Sequence, residues 1–422
     1  MTSNDKPNEL AINGGNKVRT TPWPARRLFV EEEKQAVMAL FDQAIEKGHA
    51  ALGYNGPQEE AYCREFAAFL GGGFADGVNS GTTALYVALR ALELPPFSEV
   101  IVPPITDAGG AMPVPLMGCI PIPADSMSGF YNVNAEQVEA RLTERTSAIV
   151  VAHIGGVPVD MDPLLELATA RGIPVVEDCA QAHGTLYKGR PVGTLGTLAS
   201  FSTMFGKHHA TGGQGGIVFT CNEEIYWRIR RYADRGKPFG LENVQGNVTA
   251  SLNFNMDELH AAIGRVQLRK LSDIIRRRRN LVKQIAEGCQ QSLQTVRLVR
   301  EPDECESAFW FLVFHVDTDR ISVSKDEFVA ALVAEGVPVA SGYWEAVQSL
   351  APWWQNKAVF GTTGLPWSSS LYQGDPDQDY PLPNAEANEK CHFRGALHED
   401  WTQQEVADLL AALKKVENAF LK

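Results

Sequence analysis

The chain has 422 residues, of which 44% are apolar, and its formal net charge is −13. This length and composition suffice for two domains with a sizeable core. The acidic balance disfavours a nucleic-acid partner, because binding to phosphates requires clustered lysine and arginine.

Seven cysteines are scattered along the chain, and no two of them have C-x-x-C spacing. This pattern argues against a disulfide framework or a zinc site and predicts a reducing compartment. The first ten residues lack the apolar core of a secretory signal, and no apolar run approaches the roughly 18–20 residues of a membrane span. We therefore expect a cytoplasmic protein with neither a metal site nor a membrane partner.

The first part of the chain predicts an irregular arm followed by helices. Residues 1–27 are polar and then rich in Gly, Pro and Arg, and we expect this arm to pack on the body or on a partner subunit. Helical spacing predicts a helix over 31–47 and another over 58–70. The first of these helices places four apolar residues on one side: Val37, Leu40, Phe41 and Ile45.

Short β-branched runs then alternate with helices, which predicts an α/β fold with a mainly parallel sheet covered on both faces. The predicted strands are 100–102, 148–152, 173–176, 198–201 and 217–220. A polar stretch over 289–307 is predicted to separate a large domain (28–288) from a smaller C-terminal α+β domain (289–422). The last helix of the small domain opens at Thr402 with a predicted capping box that includes Glu405.

The stretch over 173–216 carries the chemistry. Asp178 follows one predicted strand, and Gln181 lies one helical turn further on. Lys207 comes six residues after Phe201, which ends the next strand, and precedes Gly-rich chain. A lysine amine can form a Schiff base with the aldehyde of pyridoxal phosphate, while a carboxylate can keep its pyridine nitrogen protonated. We therefore consider a pyridoxal phosphate site.

Ser80, Gly81 and Thr82 begin a predicted helix, where unpaired backbone N–H groups and two hydroxyls could bind a phosphate. The signal is weak alone, because Ser and Thr begin many helices. It gains weight from its place in a series of motifs: G-Y-x-G-P (53–57), S-G-T-x-A-L (80–85), E-D-x-A-Q-A-H-G (177–184), F-S-x-x-x-x-K (201–207), G-x-G-G (213–216) and N-F-N-M-D-E-L-H-A-A-I-G-x-x-Q-L (253–268).

With these motifs in this order, the chain resembles the DegT/DnrJ/StrS family of fold-type I pyridoxal phosphate enzymes, in the aspartate aminotransferase superfamily. Most of them are sugar and cyclitol aminotransferases. The resemblance implies that Lys207 forms the Schiff base and shuttles protons, that Asp178 pairs with the pyridinium nitrogen, and that Gln181 faces the ring or its 3-hydroxyl group. It also implies that the cofactor phosphate is held by Gly81, Thr82 and Ser202.

Asn253 matches the family position that reaches the phosphate from the neighbouring subunit, which implies a homodimer with shared sites. Three positions depart from the family pattern. Asp107 replaces the aromatic residue that usually stacks on the cofactor ring, Gln214 replaces a carboxylate beside the lysine, and Asn255 replaces an arginine.

Several histidines keep alternatives open. Counting back from the Gly-rich turn would place the family lysine at His208, whereas counting forward from Phe201 places it at Lys207, and we favour Lys207. His153 and His183 can be read as packed or as functional, and the role of His209 is open.

The sequence thus predicts an aminotransferase that uses pyridoxal or pyridoxamine phosphate. It would move an amino group from glutamate or glutamine to a keto-sugar or keto-cyclitol, with residues 343–380 helping to shape the acceptor pocket. The first alternative is a sugar 3-dehydratase with a histidine base. The second is a non-catalytic regulator that keeps the fold.

Overall fold

In the computed structural model, which describes residues 9–47 and 52–422, the strands form three sheets. The strands are β1 (Phe74–Val78), β2 (Glu99–Val102), β3 (Ile120–Pro123), β4 (Thr146–Ala152), β5 (Val175–Asp178), β6 (Leu186–Tyr187), β7 (Arg190–Pro191), β8 (Leu198–Ser202), β9 (Gly216–Thr220), β10 (Val296–Leu298), β11 (Cys305–Glu306), β12 (Leu312–Val316), β13 (Val339–Ala340) and β14 (His392–Gly395).

The helices account for most of the remaining regular structure. They are α1 (Glu31–Lys47), α2 (Pro57–Phe69), α3 (Gly81–Ala91), α4 (Pro113–Leu116), α5 (Ala135–Glu139), α6 (Met161–Arg171), α7 (Glu223–Ala233), α8 (Glu258–Ser292), α9 (Lys325–Ala334), α10 (Pro352–Gln355), α11 (Pro383–Cys391) and α12 (Gln403–Phe420). None of these helices combines the length and hydropathy that crossing a membrane requires.

The largest sheet has seven strands in the order β1-β9-β8-β5-β4-β2-β3. From β8 to β3 every pair is parallel, and only β9 runs antiparallel to its neighbours β1 and β8. The predicted mainly parallel α/β sheet is therefore confirmed. Since the carboxyl ends of β4, β5 and β8 meet at one edge, the residues that follow these strands come together there.

The two edge strands of this sheet, β1 and β3, were not predicted from the sequence. β1 contains Asp76 and Gly77, and β3 reads Ile-Pro-Ile-Pro, so neither shows a β-branched run. Edge strands tolerate such residues because one side of the strand makes no ladder hydrogen bonds.

The second sheet has four antiparallel strands in the order β10-β12-β14-β13. Helix α8, 35 residues long, joins the two main cores. Its first half packs Leu271 and Ile275 into one core, and its second half packs Val282 and Ile285 into the other. The predicted domain boundary at 288–289 falls inside this helix, and the division into two domains stays a prediction.

The described part of the N-terminal arm packs on its own chain. Arg19 pairs with Glu405 at 2.8 Å, and the Trp23 and Trp401 rings lie 4.6 Å apart. Both partners belong to the region of α12, whose predicted capping box between Thr402 and Glu405 is present. Of the two predicted placements of the arm, residues 9–27 therefore adopt the one on the body, while residues 1–8 lie outside the described residues.

Candidate active site

A cavity of about 310 Å³ opens at the carboxyl edge of the parallel strands, where ligands of α/β sheets collect. Its wall includes the residues that follow β4 and β5, the end of β8, the start of α3 and two aromatic residues from beyond α8, Trp310 and Tyr343. Six of the seven predicted site residues line it: Gly81, Thr82, Asp178, Gln181, Ser202 and Lys207.

Lys207 is buried, with 7% of its surface exposed. Its Nζ lies 3.6 Å from the centroid of the Trp310 ring. Burial lowers the pKa of Lys207 to about 8, and the negative charges of Asp178 and Asp107 oppose that shift. An amine with a lowered pKa loses its proton readily and is then a nucleophile.

Asp178 ends β5 and shares the cavity with this amine. Its Oδ1 accepts a hydrogen bond from the Ala180 amide at 2.9 Å. Burial raises the pKa of Asp178, against that hydrogen bond and the charge of Lys207. Within residues 9–47 and 52–422 it forms no ion pair, so this carboxylate can accept a cationic group from a ligand.

The start of α3 meets β8 at one corner of the cavity. The Ser80 hydroxyl accepts a hydrogen bond from the Thr83 amide and so caps the helix. A Cβ on Gly81 would lie only 2.5 Å from Cβ of Ser202, so the glycine allows the helix start to approach the serine. Amides at a helix start and a neighbouring hydroxyl are groups that can bind a phosphate.

Gln181 is held between the strand side and the aromatic side of the cavity. Its Oε1 accepts a hydrogen bond from the Gly155 amide at 2.7 Å, and its Nε2 donates to the Tyr343 hydroxyl at 3.4 Å. The amide plane is therefore fixed before any ligand binds.

Asn253 is the predicted site residue that the structure leaves outside the cavity of its own chain. It forms a bridge with Asp234, and its Oδ1 accepts a hydrogen bond from Asn255 Nδ2 at 2.7 Å. Asn253 is exposed on the surface of the single chain, where solvent or another subunit could contact it.

The structure places Lys207, and not His208, on the cavity wall. His208 is fully buried, and its Nε2 bonds to the Ala308 carbonyl at 3.1 Å. His183 and His209 pack beside it, with the His183 and His209 rings 5.9 Å apart. Burial lowers the pKa of all three histidines, which keeps them neutral core residues.

His153 does line the cavity, but both of its ring nitrogens are bonded within the protein. Nδ1 accepts a hydrogen bond from the Val159 amide at 3.0 Å, which assigns the hydrogen to Nε2. Nε2 lies 3.1 Å from Glu177 Oε2 and donates to it. The imidazole is thus a fixed, flat wall of the cavity.

Two wall residues were missed as site residues. Trp310 lies just before β12, which begins at Leu312, and its indole ring faces Lys207. Tyr343 begins the stretch 343–380 that was predicted to shape the acceptor pocket, but it was not singled out there. Nothing in the local sequence marks either residue, because each reaches the cavity through the packing of the second sheet against the first. Two of the three departures from the family pattern, Asp107 and Gln214, line the cavity.

A mainly parallel sheet with a buried amine and a half-buried carboxylate at its carboxyl edge matches the fold-type I class of α/β transferases. Comparison of the chain with known families and proteins identifies its family within this class. The model of the DegT/DnrJ/EryC1/StrS aminotransferase family matches residues 31–374. The dTDP-3-amino-3,4,6-trideoxy-alpha-D-glucose transaminase of Streptomyces venezuelae is 34% identical over 323 residues, which cover 76% of this chain and 81% of the relative.

Two further proteins are similar over most of their length. The L-glutamine:2-deoxy-scyllo-inosose aminotransferase of Micromonospora echinospora is 31% identical over 346 residues, covering 79% of this chain and 81% of that protein. The crystal structure of an aminotransferase from Psychrobacter cryohalolentis superposes with a TM-score of 0.81 at 27% identity, covering 95% of this chain and 99% of the other.

The chain therefore belongs to the DegT/DnrJ/EryC1/StrS aminotransferase family. The predicted family, fold class and aminotransferase activity are confirmed, and so is the cofactor, since the family depends on pyridoxal phosphate. The cavity fits that cofactor: it offers a buried amine, a half-buried carboxylate that forms no ion pair within the described residues, and the close approach of Gly81 to Ser202.

Proposed function

We propose that this aminotransferase transfers an amino group from glutamate or glutamine to a ketone on a sugar or cyclitol. The names of the two relatives support a sugar or cyclitol as the acceptor, and one of them has glutamine as the amino donor. The observation that carries the proposal is that the buried amine of Lys207 and the half-buried carboxylate of Asp178 share one cavity.

Bound pyridoxal phosphate supplies an aldehyde that links to amines and a ring that accepts electrons. We propose that the Lys207 amine would hold the cofactor through its aldehyde carbon, with loss of water, and that the same amine, when free, would move a proton at the reacting carbon. Asp178 holds the proton on the ring nitrogen. The start of α3, at Gly81 and Thr82, and the Ser202 hydroxyl bind the phosphate, and Gln181 orients the ring.

We further propose a homodimer in which Asn253 binds the phosphate in the partner's site. In the single chain, Asn253 lies outside its own cavity, and α1 leaves Met38, Phe41 and Ile45 exposed, with 78% of Ile45 accessible. On the predicted apolar side of α1, Leu40 is buried, whereas Phe41 and Ile45 are exposed in the single chain. A second subunit would cover the rest.

We propose that the enzyme acts in the cytoplasm. All seven cysteines are unpaired, as expected in a reducing compartment.

The test is turnover by the purified enzyme with glutamate or glutamine and a panel of keto-sugars and keto-cyclitols. We expect the 2-oxo acid of the donor to be released in proportion to an aminated acceptor, and Lys207→Ala to abolish both. Phe205→Ala changes an exposed residue of the same loop and serves as the control. Dehydration of the sugar without transfer of nitrogen would contradict the proposal.

A further inference from the structure

Three successive backbone carbonyls of the loop that carries Lys207 converge on one guanidinium, that of Arg26 in the N-terminal arm. Arg26 Nη1 donates to the Lys207 carbonyl at 2.7 Å and to the Gly206 carbonyl at 3.4 Å. Its Nη2 donates to the His208 carbonyl at 3.2 Å. Buried carbonyls need donors, and a guanidinium carries five N–H groups in a rigid plane.

Arg26 is itself anchored by a buried carboxylate. Its Nε donates to Glu399 Oε1 at 2.8 Å, and Arg278 Nε donates to Glu399 Oε2 at 2.9 Å. The side chains of Glu399 and Arg278 are each 2% exposed. Burial alone would raise the pKa of Glu399, but the two guanidinium groups hold it below its ordinary value. The carboxylate is therefore charged and fixes both arginines.

Arg26, Glu399 and Arg278 thus form an ion triad, and Arg278 is connected to Lys207 through Trp310. Arg278 Nη1 donates to the carbonyls of Phe309 and Trp310, at 2.9 and 3.3 Å. The Trp310 indole N–H donates to the Gly206 carbonyl at 3.1 Å, and the ring faces Lys207 Nζ. The triad therefore holds the Lys207 backbone directly, through Arg26, and contacts its amine indirectly, through Arg278 and Trp310.

We propose that Arg26 is a positioning residue, which fixes the direction of the Lys207 side chain by binding the carbonyls of its loop, with Glu399 as the anchor. Arg26 does not line the cavity, so it acts through Lys207, and the inference rests on the proposed role of that lysine. It gives the N-terminal arm a function in catalysis.

The arm contains a matched control. Arg19 also forms buried ion pairs, with Glu405 at 2.8 Å and Asp408 at 2.7 Å, but it makes no hydrogen bond to the Lys207 loop. We expect Arg26→Met to lower kcat about tenfold or more with little change in the KM of the amino donor, since small misplacements of a reacting group are costly. Arg19→Met should keep the wild-type kcat, and Arg26→Lys should recover part of the loss.

A second measurement does not depend on the cofactor. In the cofactor-free protein, amide hydrogen exchange over residues 204–209 should be faster in Arg26→Met and in Glu399→Gln than in the wild type or Arg19→Met. In the double variant Arg26→Met/Glu399→Gln, exchange over these residues should be no faster than in Arg26→Met alone, because both substitutions release the same loop.

Equal kcat and equal exchange in Arg26→Met and Arg19→Met would overturn the inference, whether both are lowered or both unchanged. Failure of the proposed function has a different signature, since the wild type would then release no 2-oxo acid while the difference in exchange persisted.

Discussion

The charge of Lys207 is set by its surroundings. Burial lowers the pKa of its amine to about 8, while Asp178 and Asp107 raise it. Asp107 is held in place, because its Oδ1 accepts the Gly109 amide at 3.0 Å and the preceding Thr106 amide donates to the Ala346 carbonyl at 2.9 Å. This chain thus keeps a carboxylate in the cavity although Gln214 replaces the usual one.

Removing that charge should lower the pKa of Lys207 further. We expect Asp107→Asn, which keeps an oxygen for the Gly109 amide, to shift the titration of the Lys207 amine down by about half a pH unit or more. The titration can be followed in the cofactor-free protein by carbon NMR after reductive methylation with a labelled reagent. Gln214→Glu should shift it upward, and an unchanged midpoint in both variants would show that neither position faces the amine.

Asp178 gives the second prediction at this scale. Asp178→Asn keeps an acceptor for the Ala180 amide but cannot offset a positive ring nitrogen. We expect kcat to fall by about 100-fold or more, with the free energy of unfolding little changed. Steady-state kinetics beside denaturant unfolding would check this, and a kcat close to that of the wild type would mean that another group holds the ring nitrogen.

At the scale of elements, the close approach of α3 to β8 forms the corner that we propose binds the cofactor phosphate. An Ala at position 81 would place its Cβ 2.5 Å from that of Ser202 and push the helix start away from the strand. Such overpacking costs about 1–3 kcal/mol, and we expect Gly81→Ala to weaken cofactor binding about tenfold or more.

Gly213→Ala is the control for this prediction, since a Cβ there meets nothing within 4 Å. Cofactor affinity measured by absorbance titration should be unchanged in this variant. If both glycine variants bound the cofactor as tightly as the wild type, the corner between α3 and Ser202 would not hold the phosphate.

The sequence could predict those elements whose pattern is local. Helix α1 has the predicted bounds, and β4, β5, β8 and β9 lie within a few residues of theirs because strands that are buried on both faces of a sheet read as continuous apolar runs. The edge strands β1 and β3 carry no such run. Their strand conformation depends on a neighbour that is distant in sequence.

The residues of the candidate site also fall into those that the local sequence could locate and those that it could not. Asp178 and Lys207 could be located because each follows a strand end and belongs to a motif. Trp310 and Arg26 could not, since the first reaches the cavity across the two cores and the second approaches from the arm, 181 residues away from Lys207 in the chain. Contacts of this kind are a property of tertiary packing.

For the whole molecule, the proposed shared site predicts complementation between subunits. Lys207→Ala removes the amine from its own site, and Asn253→Ala would impair the site of the partner. Both homodimers should therefore have low activity. Unfolding and refolding an equal mixture should form dimers with one intact site and recover roughly a quarter of the wild-type activity. A mixture that stays at the level of the two variants would indicate that Asn253 serves its own chain.

The account depends on the linkage of the cofactor to Lys207. Borohydride reduction of the cofactor-loaded enzyme, followed by proteolysis and mass spectrometry, tests it most directly. We predict a single phosphopyridoxyl group on the peptide that carries Lys207, and its absence when an amino donor is added before reduction. A phosphopyridoxyl group on any other lysine would contradict the account.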